Sequence, residues 1–555
     1  VIPVSRFSLR PYQREAIAAV IDRRRAGVRR MVIHLPTGAG KTVIFAELAR
    51  MARQPVLVLA HRTELVQQAA EKVRRALGPE GGEVAVEQAS DRASAGARVV
   101  VASIRSLHPD RLARLLSHHR FGLVVYDECH HATAEANKAV LEGLGAFAPD
   151  WSGTLLGFTA TPVRADGVGL DEVFEELVYT RGLPRMIADG WLVPLRGFRI
   201  STQADLQRVG TTRSDLVLEE LAEAVDIEDR NALVARSIQE LARDRRTLVF
   251  CVTVNHAQRL AKALRAVGLR AGTVYGELPR DERERVLGAF AEGRIQVLTN
   301  VGVLTEGFDD PGVSCVAMAR PTRSQALYVQ CIGRGTRLSP ETGKTDCLVL
   351  DFADVSDLDL VTLPVLYGMP RNLDLDGMDV ADAERECGAA LRRWGDVLEL
   401  PPGAITLQEI KDRAASFDPL SQSVHPDIRA ISANGWASLG RKGLVLHILR
   451  QTGKLSRIEV LARGRPGRKD RWHVLWDGRK VATFSKVEQA VEAADFEVDR
   501  RGRRWSAAAR DTAPWRQAPV PPPLAEELRA RRVPGDARTH EDALQLLAFA
   551  QHHSG

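Results

Sequence analysis

The sequence predicts two tandem α/β domains, each a parallel sheet flanked by helices, followed by a small, basic, mainly antiparallel β domain. Two separate series of short, continuous apolar runs predict the first pair, because strands covered by helices on both faces are apolar at every position. A change of pattern after Asp351, to closely spaced strand and turn segments, predicts the third. A length of 555 residues leaves room for these units, at about 150 residues per domain. With 45% hydrophobic and 27% charged residues, a disordered or fibrous chain is excluded.

The first series comprises residues 31–35 (MVIHL), 56–60 (VLVLA), 99–102 (VVVA), 123–126 (LVVY) and 155–158 (LLGF), and defines a domain over 1–195. Polar, helix-patterned sequence over 196–240 reads as a linker. The second series, 247–252 (TLVFCV), 295–299 (IQVLT), 313–318 (VSCVAM) and 347–350 (CLVL), defines a domain over 241–370. Residues 371–430 read as a helical and acidic connector, with 373–386 (LDLDGMDVADAERE) on the surface. Over 436–484 the runs LVLHIL, RIEVLA, RWHVLW and KVATF alternate with turn residues such as Asp477-Gly478. That pattern predicts an antiparallel meander, then a helix near 486–495, in an accessory domain spanning 431–505. Residues 506–555 contain a Pro-rich stretch (PVPPP, 519–523) that reads as a stiff linker before a helical tail.

Charge is concentrated. Residues 441–504 hold 17 Lys+Arg against 8 Asp+Glu, whereas residues 1–440 hold 54 against 57. A localised basic segment is the footprint of a polyanionic partner, or simply a solvated surface. The six cysteines (129, 251, 315, 331, 347 and 387) include no CxxC pair, which argues against a disulfide scaffold or a zinc module. No apolar run reaches the ~18 residues of a membrane span, and the first ten residues lack a secretory apolar stretch. The expected compartment is the reducing cytosol, with no membrane partner.

Chemistry begins after the first apolar run. Residues 36–42 (PTGAGKT) lead into helix-patterned sequence, and strand, glycine-bearing loop and helix together make a phosphate cradle. Lys41 is placed to reach β/γ-phosphates and Thr42 to hold Mg²⁺. The first glycine of the usual GxxxxGK[ST] pattern is replaced by Leu35. A second Gly-Lys-Thr, residues 343–345, precedes a strand instead of opening a helix and reads as a turn. Further on, the run 123–126 ends in Asp127-Glu128-Cys129-His130, where one carboxylate can hold Mg²⁺ and its neighbour can polarise water.

PTGAGKT, DECH, TATP (159–162) and QCIGRGTR (330–337) occur in that order. Over roughly residues 8–352 the chain resembles superfamily 2 DExH-box helicases, and among them the RadD-like and XPB-like DNA-repair group. The resemblance implies two RecA-like domains that close on Mg·ATP and move along nucleic acid, DNA before RNA, with 3′→5′ travel expected. It implies that Gln13 reads adenine, that Gly38, Ala39, Gly40, Lys41 and Thr42 cradle phosphates, and that Thr42 and Asp127 hold the metal. Glu128 becomes the catalytic base. Asp309, in Gly307-Phe308-Asp309, takes the ribose, and Arg334 and Arg337 act as paired arginine fingers, on one face if that segment is helical. The plain alternative for the two arginines is a surface ion pair.

His130, Thr159, Thr161 and Gln330 match elements that couple hydrolysis to movement. His61, Arg62, Ser103, Thr253, Thr299 and Thr305 match backbone contacts to nucleic acid, although several could do no more than terminate strands. His131, Cys129 and Cys331 read as packing residues. Because one chain supplies both domains, hydrolysis should not require oligomerisation. The chain departs from RadD-like proteins in having no cysteine beyond Cys387, so any accessory grip must work without zinc. The basic meander is the candidate, with Trp472 and Trp476 near Arg468, Lys469 and Arg471. The two Trp share parity, so they would stack bases or form a small core. Rival readings are a translocase subunit of a restriction or defence complex without strand separation, an RNA helicase, and a nucleic-acid-binding protein with an inactive ATPase.

Overall fold

A computed structural model describes residues 8–61, 63–160, 170–212, 215–305, 308–356, 358–394, 400–401, 403–416, 426–463, 471–531, 533 and 535–553. Arg62, Thr161, Gly307, Arg468 and Lys469 lie outside these. The chain divides into two compact units, Val1–Glu384 and Arg385–Gly555.

The first unit contains two parallel sheets. One has seven strands, β1 (Arg30–His34), β2 (Val56–Ala60), β3 (Val84–Glu87), β4 (Val99–Ser103), β5 (Leu123–Asp127), β6 (Thr154–Thr159) and β7 (Glu176–Thr180), in the order β3-β4-β2-β5-β6-β1-β7. The other has six, β8 (Leu195–Asp205), β9 (Thr247–Phe250), β10 (Ala271–Val274), β11 (Val297–Asn300), β12 (Cys315–Met318) and β13 (Cys347–Val355), in the order β10-β11-β9-β12-β13-β8. Their central strands are buried at every residue, as in β2, β4 and β5, so the apolar runs of the sequence are the sheet centres.

The segment 196–240 is not a linker. β8 pairs in parallel with β13 from Leu195 to Asp205, and the helix Glu228–Ala242 buries Val234, Ala235 and Ile238 in the second lobe's core. The second lobe therefore begins at Leu195. β8 reads as polar because it is an edge strand in which buried and exposed residues are mixed. The acidic stretch at 373–386 is likewise not wholly superficial, since Leu373, Leu375, Val380 and Ala383 are buried.

An ion pair locks this segment in place. The Arg230 guanidinium donates to Asp354 Oδ1 at 2.7 Å and Oδ2 at 2.9 Å, and to Ala319 O at 3.1 Å. Thr202 also donates to Asp354, and the two charged side chains are 1% and 0% exposed. Removing one partner strands the other charge out of water. Asp354→Ala is expected to cost about 3–5 kcal/mol, read as a fall in the denaturant midpoint of the second lobe; a loss under about 1 kcal/mol, the scale of a surface pair, would refute the lock.

The second unit is a five-stranded antiparallel meander in sequence order, Trp436–Ser438, Gly443–Leu449, Leu455–Arg463, Arg471–Trp476 and Arg479–Phe484. One face buries Leu446, Ile448, Ile458, Val460 and Val474 against Ala490, Val491, Ala494 and Val498 of the helix Val487–Arg500. Trp472 and Trp476 pack into this core, with Arg501 lying 4.1 Å above the Trp476 ring. They are core residues, not a stacking platform. The Pro-rich stretch is not a spacer to a free tail either. A helix starts at Pro522, and Ala548 and Phe549 of the helix His540–His553 pack against Ala437, Leu439, Val445 and Leu461. Proline suits a first helical turn, whose N–H groups have no partner anyway.

Candidate nucleotide site and adjoining groove

The loop after β1 makes its turn through Gly38 and Gly40, whose φ values of 84° and 74° lie where side chains are strained. Space excludes a Cβ as well. One on Gly40 would come within 2.8 Å of Gln13 Nε2, and one on Gly38 within 2.9 Å of Arg337 Cγ. The helix Lys41–Met51 then opens directly from Gly40, so its N-terminal dipole and Lys41 face the loop.

The amino-terminal helix Pro11–Arg25 braces this loop. Tyr12 donates to Ala39 O at 2.7 Å, and Gln13 is buried, accepting from Arg10 N at 2.9 Å. Gln13 thus lies against Gly40 of the phosphate loop.

β5 carries Asp127 and Glu128 to the same point. Glu128 sits in the left-handed region at φ 53°, which turns its side chain sharply off the strand end. Its Oε1 accepts from Lys41 Nζ at 2.6 Å, and Oε2 lies 3.4 Å from His130 Nδ1. Burial alone would raise the Glu128 pKa, but Lys41 and His130 hold it well below the usual carboxylate range. His130 Nδ1 also lies 3.4 Å from Thr159 Oγ1 at the end of β6. Cys129 packs against Gly157, and burial pushes the Cys331 thiol up to about 12, so both are inert packing groups.

The second lobe closes over the loop. Arg334 and Arg337 lie beyond the helix Gln325–Ile332, in turns, so they share no helix face. Their roles differ. The Arg334 guanidinium is buried and donates to Phe308 O at 2.7 Å and Thr305 O at 2.6 Å, holding the loop that carries Asp309. Arg337 binds Asp309, and its stem lies on Gly38. Burial lowers the proton affinity of Arg337 and Asp309 opposes it, leaving a guanidinium that stays charged. Asp309 also lies 3.9 Å from Lys72 of the first lobe. The structure thus brings both arginines to the second lobe's loop, Arg337 against the phosphate loop and Arg334 on the carbonyls of Thr305 and Phe308.

A groove of about 1160 Å³ runs between the lobes beside this site, lined by His61, Ser103 and Arg105 on one side and Arg280, Arg283 and Leu287 on the other. His61 Nε2 lies 2.8 Å from Arg105, and its ring stacks on His131 at 4.5 Å. His61 and Ser103 line this groove. Thr299 does not: it is fully buried and donates to Ala257 O at 3.0 Å. Thr253 caps the helix Val254–Ala266 by accepting from His256 N at 3.2 Å, and Thr305 donates to Gly302 O at 3.0 Å. Gln330 is buried on its helix. Arg105, Arg280 and Arg283, which the sequence alone did not single out, also line the groove.

Two family profiles match the chain. One, described as type III restriction enzyme, res subunit, spans residues 6–164, and one described as helicase conserved C-terminal domain spans 229–339. The chain belongs to superfamily 2 of the helicases. Superfamily 2 relatives include the candidate ATP-dependent helicase IRC3 of Saccharomyces cerevisiae, 32% identical over 391 residues, covering 67% of this chain and 56% of that one. A candidate mitochondrial ATP-dependent helicase of Schizosaccharomyces pombe is 37% identical over 371 residues, covering 65% and 60%. The chain thus spans less than two thirds of these relatives. Among solved structures, a fragment of a candidate HsdR subunit of a type I restriction enzyme from Vibrio vulnificus superposes with a TM-score of 0.50 at 24% identity, covering 63% and 65%. That likeness shows the fold alone. Among the described residues, no helix is long and apolar enough to cross a membrane.

Proposed function

We propose that the chain is an ATP-driven nucleic-acid translocase, acting on DNA in repair or recombination and able to separate strands. The observation that carries this reading is the cleft itself: Lys41 and Glu128 of one lobe at 2.6 Å, with Arg337 of the other laid on Gly38. An arginine delivered by a second lobe stabilises transition-state charge only when the cleft is closed. Closure on substrate and reopening after hydrolysis would alternate the grip of the groove, a population shift driven by differential affinity. One chain supplies every part, so oligomerisation is not needed.

The donor set fits Mg²⁺. Thr42 offers a hydroxyl in the first helical turn and Asp127 a carboxylate, and among the described residues no group of three or more His, Cys, Asp or Glu could build a protein-only metal cage. Mg²⁺ characteristically takes one or two protein oxygens, with water and substrate phosphates completing its shell; bound there, it would neutralise phosphate charge. Six buried cysteines, none in a disulfide, support a reducing compartment such as the cytosol.

The res-subunit profile over residues 6–164 favours one second reading, a motor of a restriction or defence complex that moves on duplex DNA without unwinding it. Phosphate release measured with single-stranded, duplex and forked DNA and with RNA separates these. Stimulation by forked or single-stranded DNA, with strand displacement, supports the first reading. Stimulation by duplex alone without displacement supports the second, stimulation by RNA alone makes the chain an RNA helicase, and no hydrolysis with any polymer refutes all three.

A further inference from the structure

The second unit carries a surface that the motor does not use. On the meander face opposite its main core, the helix His540–His553 packs on the half formed by the first three strands. The outer strands, Arg471–Trp476 and Arg479–Phe484, continue that face. There Arg463 stands directly across the ladder from Arg471, and Lys480 stands opposite Leu475. Strand alternation puts Arg471, His473 and Leu475 on one side, so Arg463, Arg471 and Lys480 surround His473. Desolvation and the charges of Lys480, Arg463 and Arg471 all depress the His473 pKa, as expected where cations converge.

Like charges directly opposite across a ladder destabilise a sheet unless something neutralises them. Among the described residues nothing does. All three cations are exposed, and none makes a hydrogen bond or ion pair among the described residues. The carboxylate that shares the face, Glu459, is already engaged by His552 at 2.6 Å and Arg457 at 3.4 Å. Thr483, opposite His473, keeps the surroundings polar. A membrane surface would ask for an apolar rim among such cations; a phosphate backbone does not.

We propose that the face bearing Arg463, Arg471 and Lys480 binds the phosphate backbone of nucleic acid as a second, zinc-free grip, separate from the motor's groove. Since Trp472 and Trp476 point into the opposite core, the contacts carry charge but no base stacking, and so no sequence preference. The proposal adds to the motor reading but stands on different residues.

Its test is salt dependence in the full chain. Anisotropy of a fluorescein-labelled 30-mer duplex is titrated across a range of NaCl concentrations without nucleotide. Each phosphate contact contributes roughly 0.9 to the slope of log affinity on log salt, so R463A/R471A/K480A should flatten the slope by about 2–3 and weaken low-salt binding by at least about tenfold. The charge-preserving R463K/R471K pair should keep most of both. An unchanged slope in the triple variant overturns the proposal, and so does an equal loss in the Lys pair, which would assign the effect to folding. Preferential loss of binding to phosphatidylserine vesicles, with duplex binding intact, would also overturn it. ATP turnover of the unmodified chain is measured separately, and its failure would strike the motor reading alone.

Discussion

Glu128→Gln should bind ATP at least as well as the unmodified chain while losing turnover by about 10²–10⁴-fold, the usual contribution of a general base. The asymmetry follows from the Lys41–Glu128 contact at 2.6 Å. Lys41 must leave that carboxylate to reach a phosphate, so part of the substrate's binding energy is spent breaking a buried ion pair. A neutral amide of the same shape releases the lysine more easily, which predicts tighter nucleotide binding by several-fold. The same amide cannot accept a proton from the attacking water. Steady-state phosphate release and binding of a fluorescent ATP analogue check the two halves independently. Near-normal turnover would remove Glu128 from the base role, and weakened nucleotide binding would show that its contact with Lys41 organises the loop.

What the sequence revealed and what it hid follow one physical rule. The nine strands read as continuous apolar runs are β1, β2, β4, β5, β6, β9, β11, β12 and β13, all interior to their sheets. In these two parallel sheets, the four that escaped notice, β3, β7, β8 and β10, are the four edges. An edge strand meets solvent, so its residues need not be apolar throughout, as the partly exposed β7 and β8 show. Misreading β8 then turned part of a lobe into a linker. Motif chemistry behaved differently. Lys41, Glu128 and Gln13 were matched through the ordered motifs, and the structure gathers them around one glycine-bearing loop. Thr253 and Thr299 could not be placed that way, because a threonine at a strand end serves equally well as a helix cap or a buried donor. Arg463, Arg471 and Lys480 depended on strand register, which composition does not reveal.

Register and turn geometry also separate the two arginines of the second lobe, and here the largest kinetic effect is expected. Arg337→Ala should lower the rate constant of hydrolysis by about 10³-fold or more, the scale of a finger that neutralises transferring phosphoryl charge, with nucleotide affinity changed by less than about tenfold. Its guanidinium is tethered by Asp309 while its stem touches Gly38 of the opposite lobe, so it reaches the reaction only through closure. Arg334→Ala is predicted to fail in another way. That side chain satisfies the carbonyls of Thr305 and Phe308 from a buried position, and its loss leaves those acceptors unpaired, at about 1–3 kcal/mol each. The signature is a lower unfolding midpoint and a raised KM together with reduced turnover, as Asp309 loses its support. Single-turnover rates, KM and thermal unfolding of both variants distinguish the cases. If the two behave alike, with stability intact and only the chemical step lost, the arginines act as a pair after all. If Arg337→Ala hydrolyses ATP at the unmodified rate, the closing lobe contributes position without charge.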